Sequence, residues 1–518
     1  MRVLERTRHV LGIDLGTSSL KALLLREDGS PVGTATRAYP IAAPYPGWAE
    51  QDPRAWWTAL CGATHDILVS TGAPAESVRA IAVGGQMHGL TLLDGRGEPL
   101  RAAIIWPDQR STAEARAIDA VLERHGLVAA LGGGVSPGFM LPSLAWLRMR
   151  EPALWRDAAH ALLPKDYLRY RLTGAIASEP SDASGIPLVD LASWRWREDA
   201  REFLDLPARL FPPLLASNAV AGTVTAAAAT ETGLRAGTPV LCGGSDQAMG
   251  AIGAGVLEPG ALLVSLSTGG QIVAPVAHPL ERPIQGARTL CHAVPGVYLA
   301  LAATLGAGLS LRWMRERLSA IDGPDAEARF VDLAGEAPPG AGGLIFLPYL
   351  AGERAPLLDP EASGALVGLR LDQGAAHIAR ATLEGVVFGL RHALDLLESL
   401  GARADRVVLA GGAARNPLVR QIAADVFDRP VEGLQTAEQS ALGAAVLATV
   451  GAGFYPDLRA ACDASVTSTR PIAPDPTRAR LYSVLYGRYR GLYPALRDDM
   501  RALRQIGGTL PETVDRPG

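Results

Sequence analysis

One short pattern occurs twice, about half a chain apart, and limits the folds that this sequence can adopt. Asp14-Leu15-Gly16-Thr17-Ser18 follows an apolar run that begins at Val10, and Ser265-Leu266-Ser267-Thr268-Gly269 follows a similar run. The offset of 251 residues in a chain of 518 indicates two related domains, each with a strand that ends in a small polar turn. Single hydrophobic cores rarely grow beyond about 250 to 300 residues, so the length also favours two domains.

Further apolar runs of strand length predict a mixed α/β architecture. Such runs occur at residues 22–25, 80–83, 238–242, 262–266, 344–347 and 407–410, with amphipathic helical stretches between them. The uncharged stretch Ala293–Leu311 is predicted as a strand, a glycine turn and a helix, because Pro295 and several glycines interrupt it as a membrane span.

The domain boundary is predicted at the turn between Gly255 and Gly260, which divides the chain into residues 1–255 and 256–518. The tail is predicted to be helical from about Ala479 to Leu503, with a break near Pro494, since proline removes a helical hydrogen bond. Residues 505–518 are predicted to be frayed.

Composition excludes several classes of partner. The formal net charge of -4 gives no sequence-wide attraction for nucleic acid or an anionic membrane. The four cysteines are far apart in sequence, which argues against a zinc ribbon or a disulfide framework. Residues 1–10 contain four charges and no apolar segment typical of a secretory signal, so a cytoplasmic protein is expected. Neither Lys21 nor Lys165 follows a glycine, so the P-loop core is absent and a nucleotide must be held in another way.

Three predicted strands end in a pair of glycines, at Gly84-Gly85, Gly243-Gly244 and Gly411-Gly412. A glycine pair alone is an ordinary turn, because glycine tolerates backbone conformations that other residues avoid. Three such pairs beside two threonine-containing turns favour close approach of the backbone to a ligand.

Two aspartates at strand ends are candidates for phosphate chemistry. Asp14 precedes a turn whose N–H groups and Thr17 hydroxyl can face a polyanion, which suits a magnesium–phosphate site. The alternative is an aspartate that caps its own turn. Asp246 lies in the glycine-rich segment Gly243–Gln247 and can accept a proton from a substrate hydroxyl, or it can be the N-cap of a helix that starts at Gln247.

Two loops combine side chains that suit a small polar ligand. Gln86-Met87-His88-Gly89 offers an amide, an apolar surface and an imidazole, although a lone histidine is often structural. Trp106-Pro107-Asp108-Gln109-Arg110 offers an aromatic face, an acid and a guanidinium, a combination common in sugar binding. Its alternative is an aromatic core residue beside a surface charge pair.

Taken together, the motifs resemble the FGGY carbohydrate kinases over nearly the whole chain, from about Val10 to Leu496. Gly364-x-Leu366-x-Gly368-Leu369 followed by His377-Ile378-x-x-Ala381-Thr382-Leu383-Glu384 is similar to the second signature of that family. Within the family, segments 50–53, 86–89, 163–168 and 347–354 look like those of xylulokinases.

The resemblance implies duplicated actin-like ATPase (ribonuclease H-like) domains with a cleft between them, and transfer of the γ-phosphate of ATP to D-xylulose with Mg²⁺. It implies a sugar-binding first half that carries the catalytic base and a nucleotide-binding second half. By the same resemblance, Asp246 is the catalytic base, and Asp14 and Asp246 are the metal-site carboxylates. The implied sugar contacts are Met87, His88, Trp106, Asp108, Asp246 and Gln247, and the implied nucleotide contacts are Gly16, Thr17, Ser18, Thr268, Gly269, Gly411, Gly412 and Asn416.

The sequence departs from the family pattern at three positions, which leaves the sugar open. Ser143 replaces a signature lysine, Ser267 alters the second phosphate turn, and Gln247 follows the catalytic aspartate where xylulokinases usually have asparagine. Kinases for ribulose, glycerol or gluconate stay open, as does a non-catalytic sugar- or nucleotide-binding regulator. An Hsp70-like ATPase would need a separate peptide-binding domain, for which no residues remain. The expected partners are the sugar and ATP, without nucleic acid or membrane, and a homodimer stays open.

Overall fold

The computed structural model describes residues 7–284, 286–318, 323 and 325–509. Its strands and helices are numbered in chain order. The strands are β1 His9–Leu15, β2 Ser19–Arg26, β3 Pro31–Ala38, β4 Glu50–Gln51, β5 Val78–Gly85, β6 Thr91–Leu93, β7 Ala103–Ile104, β8 His160–Leu162, β9 Val189–Asp190, β10 Arg195–Trp196, β11 Val220–Thr223, β12 Pro239–Leu241, β13 Gly244–Ser245, β14 Gly260–Leu266, β15 Gly270–Val276, β16 Arg288–Cys291, β17 Tyr298–Thr304, β18 Ile345–Leu347, β19 Ala365–Val367, β20 Ala404–Ala410 and β21 Val431–Gly433. The helices are α1 Pro53–Thr71, α2 Thr112–Arg124, α3 Met140–Arg150, α4 Pro152–Asp157, α5 Pro164–Thr173, α6 Pro180–Ala183, α7 Glu198–Phe203, α8 Ala226–Thr232, α9 Asp246–Gly253, α10 Gly308–Arg317, α11 Ala326–Gly335, α12 Ala375–Ser399, α13 Pro417–Phe427, α14 Gln439–Gly451, α15 Leu458–Ser465 and α16 Pro476–Thr509.

Two mixed sheets of matching topology form the centre of the molecule. The first has the order β11-β12-β5-β1-β2-β3, with β13 paired to β5, and the second has the order β16-β17-β15-β14-β20-β21. In the first sheet, the central strand β1 is antiparallel to β2 and parallel to β5. In the second sheet, the central strand β14 is antiparallel to β15 and parallel to β20 in the same way. The mixed α/β class and the duplication predicted from the repeated turn are confirmed.

Most predicted elements are present within one or two residues of their predicted bounds. The segment Ala293–Leu311 forms β17, a turn and the start of α10, as predicted. The predicted break near Pro494 is wrong, because α16 continues through that residue. Tyr489 and Tyr493 before the proline and Met500 after it are all buried, so packing holds the helix on both sides of the lost hydrogen bond. Residues 505–509 are helical rather than frayed, and residues 510–518 lie outside the described part.

Helices α9 and α14 join the two halves at the base of the cleft. A Cβ atom on Gly443 would lie 1.8 Å from the carbonyl oxygen of Met249, and one on Gly253 would lie 1.9 Å from that of Gln439. Only glycine permits this approach, which packs the first turns of α14 against the C-terminal half of α9. None of the described helices is both long and apolar enough to cross a membrane.

The second sheet also contacts the first half through its edge strand β16. The N–H of Thr289 donates to the carbonyl oxygen of Gly132 at 2.9 Å, and the N–H of Cys291 donates to Ser184 Oγ at 2.9 Å. These bonds fix the position of Arg288, which begins β16, against the first half.

Candidate active site

Asp14 is the second-last residue of β1, and one of its carboxylate oxygens is free for a ligand. Its Oδ1 atom is buried and has no hydrogen-bond partner among the described residues, so it does not cap its own turn. Burial raises the pKa of Asp14 to about 6, although the positive charge of Lys21 opposes the shift. Lys21 is held away from full pairing with Asp14 by Glu438, whose Oε2 lies 2.5 Å from Lys21 Nζ.

Asp246 is the first residue of α9, not its cap. Ser245 is the N-cap, and its Oγ accepts a hydrogen bond from the N–H of Ala248 at 3.1 Å. The alternative that Asp246 serves as the cap is therefore wrong, and its carboxylate is available for other contacts. Burial, and next the negative charge of Asp14, raise the pKa of Asp246 to about 7. A carboxylate with this pKa is a suitable general base near neutral pH.

The two aspartates fit a magnesium ion that keeps most of its water. No cluster of three or more histidine, cysteine, aspartate or glutamate side chains capable of holding a metal occurs in the described part of the chain. Mg²⁺ is commonly bound by one or two carboxylates together with waters and substrate phosphates. The free, buried oxygen of Asp14 supplies the type of donor that such an ion requires.

The turn after β1 is held in place by hydrogen bonds from two side chains of the first half. Thr17 Oγ1 accepts a hydrogen bond from Trp106 Nε1 at 3.0 Å, and its carbonyl oxygen accepts one from Gln51 Nε2 at 2.7 Å. The N–H of Gly16 donates to the carbonyl of Ser19 at 3.0 Å, while Ser18 is exposed. Trp106 therefore connects the predicted sugar-binding loop to the predicted phosphate turn.

His88 has a defined protonation state and orientation. Its backbone has a positive φ of 73°, and its Nδ1 lies 3.0 Å from the carbonyl oxygen of Gly185. Because a carbonyl oxygen is only an acceptor, Nδ1 carries the proton and Nε2 is the acceptor. Burial lowers the pKa of His88 to about 3, so the ring is neutral. The ring stacks on Phe139 with 3.7 Å between the centroids, next to buried Met87.

Asp108 and Gln247 already have protein partners. Asp108 is fully buried and accepts hydrogen bonds from the N–H of Ala49 at 2.6 Å and from Arg110 Nη2 at 2.8 Å. The Asp108–Arg110 pair is thus internal, in contrast to the surface pair considered above. Gln247 Nε2 donates to Gln271 Oε1 of β15 at 3.1 Å. Contacts of Asp108 and Gln247 with a sugar stay predictions.

The second half encloses a cavity of about 250 Å³ beside the second turn. Its lining includes Thr268, Gly412 and Glu327. Gly411 has a φ of 104°, and a Cβ atom there would lie 2.1 Å from the carbonyl oxygen of Leu266. Glycine at position 411 thus permits the close approach of its backbone to the end of β14, and contact of the glycine pair with a ligand stays a prediction.

Two predicted nucleotide contacts differ in their surroundings. Thr268 is exposed at the mouth of this cavity, next to Gly269. Asn416 is the N-cap of α13, and its Oδ1 accepts a hydrogen bond from the N–H of Leu418 at 2.8 Å. A contact between Asn416 and adenosine stays a prediction.

Sequence reasoning missed a buried ionic network beneath the Asp246 loop. Lys165 Nζ lies 2.7 Å from Asp166, 3.4 Å from Glu179 and 3.6 Å from Asp182. Glu179 also accepts a hydrogen bond from Ser181 Oγ, which in turn accepts one from the N–H of Ser245 at 3.0 Å. Two sequence signals for this network exist, which are the scarcity of lysine in the chain and the position of Lys165 inside a motif.

Comparison with known proteins agrees with this geometry. The N-terminal domain of the FGGY family of carbohydrate kinases matches residues 9–253, and the C-terminal domain of that family matches residues 262–452. The chain belongs to the FGGY family of carbohydrate kinases. The duplicated actin-like fold, the use of ATP and the sugar substrate follow from membership of this family.

Relatives within the FGGY family cover nearly the whole chain. A xylulose kinase of Bacillus subtilis is 33% identical over 96% of this chain and 99% of its own length. The crystal structure of xylulose kinase from Rhodospirillum rubrum is 33% identical, with a TM-score of 0.88 over 95% of this chain and 100% of that one. A gluconokinase of Bacillus licheniformis is 28% identical over 95% of this chain and 97% of its own length.

Proposed function

We propose that this FGGY kinase transfers the γ-phosphate of ATP to the hydroxyl on carbon 5 of D-xylulose and gives D-xylulose 5-phosphate and ADP. One observation carries the proposal: Asp246, free of a capping role, is a half-buried carboxylate whose pKa is raised by burial and by the nearby charge of Asp14. The full-length similarity to xylulose kinases supports D-xylulose as the sugar.

In the proposed reaction, Asp246 accepts the proton of the sugar hydroxyl as that oxygen bonds to the γ-phosphorus and the bond to the ADP oxygen breaks. Phosphoryl transfer proceeds through a loose transition state, so alignment and charge stabilisation contribute most of the acceleration.

When bound, Mg²⁺ would neutralise phosphate charge during transfer. Asp14 would hold it through the free oxygen, directly or through a bound water, with Asp246 close by. The fastened turn of Gly16, Thr17 and Ser18 would face the phosphates from the first half.

The remaining site residues divide between the two walls of the cleft. Met87, His88, Trp106, Asp108 and Gln247 would surround the sugar in the domain of residues 1–255. In the domain of residues 256–518, the nucleotide would contact Thr268, Gly269, Gly411, Gly412 and Asn416. Closure about the segment 254–259, which connects α9 to β14, would bring the reacting atoms to roughly 3 to 3.5 Å. We also propose a cytoplasmic location and a homodimer as the assembly.

D-Gluconate is the second candidate sugar, and the similarity to a gluconokinase over nearly the full chain favours it. A non-catalytic regulator is a weaker candidate, because it would have no need for two buried carboxylates that destabilise the folded chain when ionised.

Coupled detection of ADP release tests the proposal on a panel of D-xylulose, D-ribulose, glycerol and D-gluconate. We expect the highest kcat/KM with D-xylulose and dependence on added Mg²⁺. A higher kcat/KM with D-gluconate would replace the sugar but keep the kinase, and absence of sugar-dependent ADP release would contradict the kinase activity itself.

A further inference from the structure

Two arginines of the second half lie at the predicted sugar end of the cleft. The Cζ atom of Arg288 lies 4.8 Å from the ring centroid of Phe139, and that of Arg354 lies 5.6 Å from the ring centroid of Trp106. Both rings belong to the first half. The wall opposite His88 and Trp106 is therefore positively charged.

The side chain of Arg288 already has partners within the protein. Its guanidinium donates through Nη2 to the carbonyl oxygen of Gly134, and the negative charge of Asp119 stabilises it. The guanidinium of Arg288 and the ring of His88 both contact the ring of Phe139. Arg288 thus positions the histidine through Phe139 and fastens β16 to the first half.

Arg354 is held differently, by its backbone alone. The Glu353 carboxylate accepts hydrogen bonds from the N–H groups of Leu305 at 2.6 Å and Arg354 at 2.7 Å. The next residue, Ala355, donates its N–H to the carbonyl of Ala303 at 3.0 Å. These bonds fix the loop. The Glu353 carboxylate is held by backbone N–H groups rather than by the Arg354 guanidinium, although its charge partly opposes the lowering of the Arg354 pKa by burial.

The guanidinium of Arg354 is exposed, and no carboxylate of the described residues lies within 4.0 Å of it. Its charge acts at the His88 end of the cleft. Burial is the main reason for the low pKa of His88, and Arg288 and Arg354 lower it further. Arg354 therefore borders the same part of the predicted sugar site as His88 and Trp106.

We propose that Arg354 is a specificity-determining residue, whose guanidinium donates hydrogen bonds to an sp² oxygen of the sugar. The inference rests on the proposed sugar kinase function. A guanidinium has donors and no acceptor, whereas His88 Nε2 is an acceptor. Together they match a carbonyl or carboxylate oxygen next to a hydroxyl group.

Two classes of substrate present that arrangement. A 2-ketose has a ketone next to the hydroxyl on carbon 1, and an aldonic acid has a carboxylate next to the hydroxyl on carbon 2. A polyol such as xylitol has hydroxyls alone. The shared chemistry is an sp² acceptor oxygen, and the preferred substrate of the wild-type enzyme distinguishes the ketone from the carboxylate.

The test measures kcat and KM for D-xylulose, D-gluconate, xylitol and ATP in the wild type, R354A and R354K. The control is R148A, because Arg148 is a partly exposed arginine beside a tryptophan, with its Cζ 6.0 Å from the Trp155 ring centroid, and it pairs with exposed Asp205 outside the predicted site. We expect R354A to raise KM for the preferred sugar by roughly 10- to 100-fold, the effect of losing hydrogen bonds from a charged donor, and to leave KM for ATP unchanged. R354K should recover part of this loss, and R148A should match the wild type.

The preference over xylitol should fall in R354A by about the same factor, because xylitol lacks the oxygen that Arg354 binds. A wild type that prefers D-gluconate, with that preference lost in R354A, would support the role of Arg354 while contradicting the proposed sugar. The inference would be overturned by an R354A variant that keeps the preference over xylitol, by equal losses for sugar and ATP, or by a lower thermal unfolding midpoint that accounts for the loss. A wild type that phosphorylates neither acid nor ketose would overturn it as well.

Discussion

The turn after β1 and the turn after β14 occupy the same place in two sheets of the same topology, yet their surroundings differ. In the first half, Thr17 is bound by Trp106 and Gln51, and Asp14 keeps a buried oxygen without a partner. In the second half, Ser265 stands at the position of Asp14, and Thr268 is exposed at a cavity. One framework therefore carries a fixed, acidic turn and an open, neutral one.

The difference shows how a duplicated fold can divide the work of phosphoryl transfer. Buried carboxylates need a rigid setting, because their ionised forms are costly away from water and small shifts change their pKa. A nucleotide needs space and backbone contact, which the glycine pair and the cavity provide. Five predictions test whether the two turns are as different in function as they are in structure.

The largest effect is expected for Asp246→Asn. The amide keeps the shape of the side chain but cannot accept the sugar proton, so kcat should fall on the order of a hundred- to ten-thousandfold. ATP binding and the fold should persist, which calorimetry and thermal unfolding would check. The exposed carboxylate Asp205 provides the control variant Asp205→Asn, which should keep wild-type turnover. A variant of Asp246 with more than about a tenth of wild-type kcat would remove this residue from the role of base.

The next largest effect compares equivalent positions of the two turns. Asp14→Asn should lower kcat by roughly 100- to 1,000-fold, a typical loss when one charge-stabilising group is removed, and should raise the Mg²⁺ concentration needed for activity. Ser265→Ala at the equivalent position removes a hydroxyl that accepts from Gln439 Nε2 and should change both quantities little. Similar losses in the two variants would show that the turns are functionally alike. Titration of activity with Mg²⁺ is the measurement.

Smaller effects are expected for two substitutions, each of which should raise the KM of one substrate and leave the KM of the other unchanged. His88→Ala should raise KM for the sugar by roughly 2- to 10-fold, the effect of losing one neutral hydrogen bond, and leave KM for ATP unchanged. Thr268→Ala should raise KM for ATP by a similar factor and leave that for the sugar unchanged. Equal weakening of both substrates by either variant would contradict the assignment of one substrate to each wall. Initial rates at saturating co-substrate measure both constants.

The smallest effect concerns pH. Because Asp246 must be ionised to accept a proton, kcat/KM for the sugar should rise as pH increases through about 7. Removing the negative charge of Asp14 in Asp14→Asn should move this midpoint down by less than about one unit, since burial is the larger cause of the shift. Residual activity of the variant measured from about pH 5.5 to 8.5 would check the direction, and an upward shift would contradict it.

The same shift predicts the pH dependence of stability. The folded chain binds the Asp246 proton more tightly than the unfolded chain, so the free energy of unfolding should decrease as pH rises from about 4 through about 7. Asp246→Asn should therefore raise the thermal unfolding midpoint more at about pH 8 than at about pH 5. A constant difference between variant and wild type would contradict the shifted pKa.

Much of the framework was predictable, because its signals are local. Apolar runs such as 262–266 and 407–410 need no partner to be recognised as strands, and both form central strands of the second sheet. The glycine pair at Gly411-Gly412 predicted a close approach of the backbone to a ligand; the structure shows Gly411 against the end of β14, and the ligand contact stays a prediction. The break at Pro494 was wrong, because packing of the tyrosines of α16 outweighs one lost hydrogen bond.

The candidate residues of the site were predictable from the sequence. Their roles as helix caps and their hydrogen-bond and ion-pair partners were not, because these depend on distant parts of the chain. Ser245 and Asp246 are adjacent, and either type of side chain can cap a helix. Which of them does so depends on the backbone geometry where α9 starts. Likewise, the partners of Asp108 and of the Lys165 network come from several segments, and periodicity cannot reveal them.

The sequence by itself determined the duplication, the mixed α/β class and the aspartates at the strand ends, since each depends on residues that are neighbours along the chain. The tertiary structure alone decided which carboxylate oxygens are free, which tautomer His88 adopts and which side chains of the second half face the first. These properties depend on distances between residues that are far apart in sequence, as with Arg354 and Trp106. Burial and charge act over those distances, and folding is what establishes them.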